Sequence, residues 1–404
     1  MDNAQTKIKP SSRTELVQEY YFSHKLRQID EMRKSGADII NLGIGSPDLP
    51  PAPQVIEKLN EAAKLSYSHG YQSYNGIPAL RNAFAGWYKK YFNVILDPDT
   101  EILPLIGSKE GIMHISMAFV NEGDIALVPD PGYPTYTSVT KLTGGKARHY
   151  ALEAKHNWHP DFHALEDSDL SRVKIMWVNY PHMPTGAKGS IKLFESLVAF
   201  AHKHTILLCN DNPYSFVLNK EHLSILSVDG AKEVAMELNS MSKSHNMAGW
   251  RIGMVAGHRE YISSVVKVKS NMDSGMFQPM QLAAVEALNS PDEWYASVNE
   301  IYRKRRKLVE QIMGKLNCTF DASQSGLFLW GRIPAAYSSG EELTEDLLHK
   351  SHVFVTPGMV FGDQGKEYIR ISLCATEHML NKTLDRLAST EFNLKRRIKW
   401  ETTE

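Results

Sequence analysis

The sequence predicts an α/β protein, with a mostly parallel, doubly wound sheet followed by a smaller α+β unit. Three observations carry this expectation. Helical and strand-like runs alternate from about residue 77 to 260. Several of the strand-like runs are near-continuously apolar instead of alternating, as strands covered by helices on both faces must be. From about residue 290 the pattern changes to a long charged helix and a few short strands.

The elements follow in order. After a polar arm, SSRTELVQEYYFSHKLRQIDEMRKSG reads as one helix with a serine cap and periodic apolar positions. ADIINLGIGSPDLPP gives a short strand that breaks into a Gly/Pro loop. The strand candidates of the sheet are EILPLIG, DIALVPD, ARHYALEA, VKIMWVNY, TILLCND, VAMELNS and RIGMVAG. DEWYASVNEIYRKRRKLVEQIMGKL is the long charged helix, and FDASQSGLFLWGRI, HVFVTPG and YIRISLC suggest the smaller unit. The expected division is 1–50 for an arm and part of the small domain, 51–290 for a large domain, and 291–404 for a small domain. Ligands of such a sheet are expected at the C-terminal ends of its strands, facing a cleft between the lobes.

Composition narrows the function. The 404 residues are 42% hydrophobic and 23% charged, with a net charge of -1. That balance gives no reason to expect nucleic acid or an anionic membrane as a partner. The KRRIK run at Lys395–Lys399 is short and reads as a solvated helix end. Cys209, Cys318 and Cys374 are too scattered for a disulfide framework, and none belongs to a metal-binding cluster. No apolar run approaches the roughly 18 residues of a membrane span. The N-terminal MDNAQTKIKPSSR has no apolar signal core, so the expected location is the cytoplasm.

Four strand-end loops hold unusual polar residues: GSKEG, NYPHMPTG, NDNPY and SMSKSHNMAGWRIG. In the last, Lys243 is surrounded by Ser240, Ser242 and Ser244, with Arg251 eight residues on, inside the following strand-like run. By itself Lys243 reads as an exposed loop lysine. Serines plus an arginine can hold a phosphate dianion, which frees the lysine to form a Schiff base. A pyridoxal phosphate site needs that lysine and an acid facing the ring nitrogen. Asp211 ends an apolar run where a lone carboxylate is expensive, although DNP is also a helix-start signal. Tyr214 is three residues further on, and can donate to the ring oxygen. GSKEGI offers a glycine–serine turn opening a helix, an anion site through backbone N–H groups. Tyr133 in DPGYPTY can stack on a ring or simply fill a turn.

Together these residues resemble the class I/II pyridoxal-phosphate aminotransferases of fold type I, along nearly the whole chain. The group most similar is the LL-diaminopimelate and aspartate aminotransferase-like one. GIGSPDLP, YQSYNGIPALR, GSKEGI, DPGYPTY, PTG, DNPY, SKSHNMAGWRIG and YIRISL occur in family order. The resemblance implies a mostly parallel seven-stranded sheet between helices, and a ping-pong exchange of an amino group between an L-amino acid and a 2-oxo acid. It implies Lys243 as Schiff-base lysine and general base, Asp211 as the pyridinium partner, and Tyr214 as the donor to the ring oxygen. Ser108, Lys109, Ser240 and Arg251, with Ser242 close by, match the phosphate cup, and Tyr133 the stacking aromatic. Arg370 in YIRISL matches the arginine that grips the substrate α-carboxylate. Gly45 lies in the loop that closes over substrate. Lys109 matches a residue that in some relatives attends a distal carboxylate, so aspartate, glutamate or diaminopimelate are candidate substrates. Tyr71 matches a tyrosine reaching the phosphate of the neighbouring subunit, which implies a homodimer.

The chain departs from the family at Met183 in NYPHMPTG, where the family usually has an asparagine that donates to the ring oxygen. The resemblance then leaves Tyr214 as that oxygen's donor, unless His182, Asn179 or a water replaces the missing one. Two other readings keep the same residues: a carbon–sulfur β-lyase on the same scaffold, and a cofactor-binding protein with impaired catalysis. The second is disfavoured, since Lys243, Asp211, Tyr214, Arg251 and Arg370 are all present.

Overall fold

The computed structural model describes residues 8–390 and 392, apart from 18 and 20. The KRRIK run lies outside the described residues. In chain order the strands are β1 (Ile40–Asn41), β2 (Ile102–Leu105), β3 (Ile125–Asp130), β4 (Lys146–Ala151), β5 (Val173–Val178) and β6 (Leu207–Asp211). They continue as β7 (Ala235–Ser240), β8 (Gly253–Gly257), β9 (Phe328–Arg332), β10 (Val353–Phe354), β11 (Thr356–Pro357) and β12 (Tyr368–Ser372).

Seven of them form one sheet in the order β2-β8-β7-β6-β5-β3-β4. All run parallel except β8, which is antiparallel to both β2 and β7. The apolar runs are continuous because both faces are covered. In β5, Val173, Met176 and Val178 enter the core on one face, while Ile175 and Trp177 enter the core on the other. Such a strand has no polar face to alternate with, which is why the sequence pattern reads as a solid block.

A second lobe is built on an antiparallel sheet of order β11-β12-β9 and the long helix Asp292–Lys315. Asp292 and Glu293 in the first turn of that helix complement its dipole. β1, far earlier in the chain, pairs in parallel with β10 and so joins this lobe. Arg370 sits at the centre of β12, opposite Trp330 on one side and Thr356 on the other.

The expected single N-terminal helix is in two pieces. Ser11 caps a short 3-10 turn at Ser12–Leu16, and the helix proper spans Tyr21–Lys34. Val17 takes an extended conformation that ends the turn, as suits a β-branched residue. Among the described residues no helix is long and apolar enough to cross a membrane.

Candidate active site

The parallel strands β3, β5, β6 and β7, together with β2, end at one rim of the sheet, and each delivers a loop there. β6 ends on Asp211, with a turn and no helix after it, so the alternative reading of Asp211 as a helix cap falls away. β7 ends on Ser240, whose hydroxyl caps a one-turn helix, Met241–Ser244, carrying Lys243. Lys243 is therefore held by a helical turn, not an open loop. Arg251 needs a further correction. It is not inside a strand but precedes β8, at φ 56 after a 3-10 turn. Because β8 runs opposite to its neighbours, its start lies at the same rim as their ends, and that reversal brings Arg251 to the others.

At this rim a cavity of about 370 Å³ opens between the two lobes. Lining it are Gly45, Ser108, Lys109, Tyr133, Asp211, Tyr214, Ser240, Ser242, Lys243, Arg251 and Arg370, the residues expected from sequence except Tyr71. Tyr71 is 94% exposed and stands outside the cavity of its own chain. Residues not singled out from sequence also line it, notably Tyr136, Phe22, Phe328 and Phe361. Tyr136 shares a helix with the Tyr133 turn, and its hydroxyl donates to Asp211 Oδ2 at 3.0 Å. The repeated tyrosine three residues on in DPGYPTY was the available signal, since that spacing puts both rings on one side.

The turn at Gly107 shows why the local sequence is needed. Gly107 has φ +81, and a Cβ there would lie 2.3 Å from Arg251 Nη2. Only glycine lets the helix Ser108–Phe119 start beside the guanidinium, with its first N–H groups at the cavity. Gly45 is equally constrained, because a Cβ there would lie 2.2 Å from the Phe328 ring. Its carbonyl accepts a hydrogen bond from Lys243 Nζ at 2.6 Å.

Four basic side chains, Lys109, Lys243, Arg251 and Arg370, face one carboxylate, Asp211. Such a wall suits an anion carrying more than one negative group. Burial lowers the pKa of Lys243; Cys374 opposes the shift, and Arg370 and Arg251 reinforce it. Burial and Arg251 likewise lower that of Lys109. Asp211 is pushed up to about 7, chiefly by burial. Burial raises Tyr214 and lowers His182 to about 3. Asp211 Oδ1 is buried and has no hydrogen-bond partner among the described residues.

Arg370 is held in an aromatic cage. Its guanidinium carbon lies 3.8 Å from the centre of the Phe328 ring and 4.6 Å from that of Phe361. Nη2 donates to the Gly43 carbonyl at 2.8 Å, and Nη1 to the Met183 sulfur at 3.3 Å. Met183 is itself fixed from behind. Its N–H donates to Asn179 Oδ1 at 2.7 Å, and the Asn179 amide donates to the Asp211 carbonyl. His182 turns away to Thr185, with Nδ1 2.8 Å from the hydroxyl.

Comparison with known proteins gives a consistent answer. The family described as aminotransferase class I and II matches residues 37–387. An LL-diaminopimelate aminotransferase of Dehalococcoides mccartyi is 41% identical, over 95% of this chain and 99% of that protein. One from Moorella thermoacetica is 40% identical, over 91% and 95%. The structure of apo-BacF from Bacillus subtilis superposes with a TM-score of 0.91 at 34% identity, covering 95% of this chain and 98% of that one. A Thermus thermophilus aspartate aminotransferase mutant gives 0.88 at 26% identity, covering 95% and 100%. The chain thus belongs to the class I and II aminotransferases, pyridoxal-phosphate-dependent enzymes of fold type I.

Proposed function

We propose that Lys243 holds pyridoxal phosphate in this cavity and that the protein exchanges an amino group between an L-amino acid and a 2-oxo acid by a ping-pong cycle. The observation that carries the placement is Asp211 Oδ1, a buried carboxylate oxygen at the cavity wall without a partner. A pyridinium N–H would satisfy it and hold the carboxylate ionised, so the residues fit the cofactor. When bound, that group supplies the electron sink that makes the substrate Cα–H acidic.

The remaining roles belong to the chain. Ser108, Lys109, Ser240, Ser242 and Arg251 would hold the phosphate, and Tyr133 would stack on the ring. Tyr214 would donate to the ring oxygen. Lys243 would attach the cofactor and, once displaced by the substrate amine, move the proton at Cα. Its depressed pKa favours the neutral amine that both tasks need. Arg370 would grip the α-carboxylate, and the loop at Gly45 would close over the substrate.

An acidic amino acid such as LL-diaminopimelate is the substrate class we propose, supported by the names of the Dehalococcoides and Moorella relatives and by the basic wall of the cavity. Lys109 would attend either the phosphate or the distal carboxylate. A homodimer would complete the site by bringing Tyr71 to the phosphate of the neighbouring subunit. Leu65, Tyr67, Tyr71, Tyr74, Met272 and Phe277 are exposed, and the His69 and Phe277 rings lie 5.8 Å apart, joining the two segments into one apolar face. Such a face is expected to be covered. A cytoplasmic location is supported by three buried free thiols.

Replacing Arg370 tests the carboxylate assignment. Arg370→Ala is expected to lower kcat/KM by about 100-fold or more, with the absorbance of the bound cofactor retained. A variant that keeps its kcat/KM removes Arg370 from the substrate site.

Replacing Met183 tests the ring-oxygen assignment. Asn179 is committed to backbone groups, and His182, bonded to Thr185 through Nδ1, is not among the cavity-lining residues, so Tyr214 is left as the donor. A second donor would favour the deprotonated form of the lysine–cofactor link. Met183→Asn is therefore expected to lower the pH midpoint of the cofactor absorbance, by about one unit if the new bond has ordinary strength. Equal midpoints in the two proteins would sink the assignment.

A further inference from the structure

The Arg370 guanidinium makes a contact that a carboxylate-gripping group does not need for its task. Nη1 donates to the thioether of Met183 at 3.3 Å, in a site where Arg370 is 4% and Met183 7% exposed. The contact is not accidental packing of a loose side chain. The Met183 N–H is anchored to Asn179, and Asn179 in turn to the Asp211 carbonyl, so the sulfur is aimed by the same loop that closes β5. On the other side, Phe328 and Phe361 stack on the guanidinium and Gly43 takes Nη2.

A thioether is a weak, polarisable, uncharged acceptor. A carboxylate oxygen accepting from the same N–H makes a charge-assisted bond that is far stronger. We propose that Met183 is a positioning residue that occupies Arg370 Nη1 while no substrate is bound, and yields it to the incoming carboxylate. The sulfur keeps a buried donor partnered and its plane oriented, yet competes little for it. This inference rests on the assignment of Arg370 to the substrate carboxylate.

The exchange has a consequence of definite sign. Leucine has nearly the volume of methionine but no acceptor. Met183→Leu removes a partner from the carboxylate-free state alone, so carboxylates should bind more tightly, by about threefold to tenfold for one weak hydrogen bond. If the sulfur only packed, or helped Arg370 equally in both states, affinity would stay the same or fall.

The test uses holoenzyme carrying pyridoxal phosphate, with propionate and succinate as probes that have no amino or keto group to react. Binding is read from the cofactor absorbance and from calorimetry in wild type, Met183→Leu, Met183→Ile and Arg370→Ala. Tighter binding in the two apolar variants, with Arg370→Ala binding weakly, supports the exchange. Unchanged or weaker binding in both apolar variants, with their cofactor absorbance retained, overturns it and leaves the Arg370 assignment standing. Equal binding by Arg370→Ala and wild type overturns that assignment and the exchange together.

Discussion

Lys243→Ala is expected to lose amino transfer by on the order of 10,000-fold, the upper range for removing a general base, while remaining folded. The lysine lies on a one-turn helix closed by Ser240 and makes its polar contact with the Gly45 carbonyl, not with the core. Burial disfavours its charge, so losing it relieves a desolvation cost instead of breaking an ion pair. The decisive check is chemical. Borohydride treatment of the wild-type holoenzyme should leave one cofactor-sized mass addition on the peptide containing Lys243, and none on the variant. An addition at another lysine would move the site.

Asp211→Asn is expected to separate stability from activity. Burial raises the Asp211 pKa from 3.8 to about 7, with Tyr136 opposing and Glu237 reinforcing the shift. Between those values the folded cofactor-free protein holds a proton that the unfolded chain has released. The contribution of Asp211 to stability therefore falls as pH rises from about 4 to about 7, and levels off above. A shift of that size corresponds to about 4 kcal/mol at most. Asparagine has the same shape and no such penalty. The cofactor-free variant should match wild type near pH 4 and melt higher at pH 8. With cofactor bound the order should reverse, because the ring N–H loses its carboxylate, and kcat should drop by about 1,000-fold. Parallel melting curves at pH 8, with and without cofactor, check both signs. A cofactor-free variant no more stable than wild type at pH 8 contradicts the account of Asp211.

Much of this site was legible because of where polarity interrupts apolar runs. Asp211 and Ser240 stand where buried strands end, and that contrast marks them without any knowledge of the fold. Arg251 was legible as a residue but not as a place. Its position depends on β8 running against its neighbours, which a short apolar run does not reveal. The aromatic cage around Arg370 was illegible for a different reason. Phe328, Phe361 and Arg370 come from separate elements, and Phe22 from the N-terminal helix, so no local pattern joins them. The break in the N-terminal helix is not legible in the sequence, because Val17 fits an amphipathic pattern equally well as the end of a turn. Met183 stood out in sequence as an oddity, but its sulfur on Arg370 is a tertiary fact.

This cavity is expected to carry out half of a transamination with an amino acid alone. The direct measurement mixes the holoenzyme with individual amino acids, LL-diaminopimelate, aspartate and glutamate among them, and follows the cofactor absorbance in the absence of any 2-oxo acid. Conversion to the amino form of the cofactor, with one 2-oxo acid released per site, is expected with at least one acidic amino acid. No conversion with any of them, or steady release of pyruvate and ammonia from a cysteine conjugate without an acceptor, would contradict it.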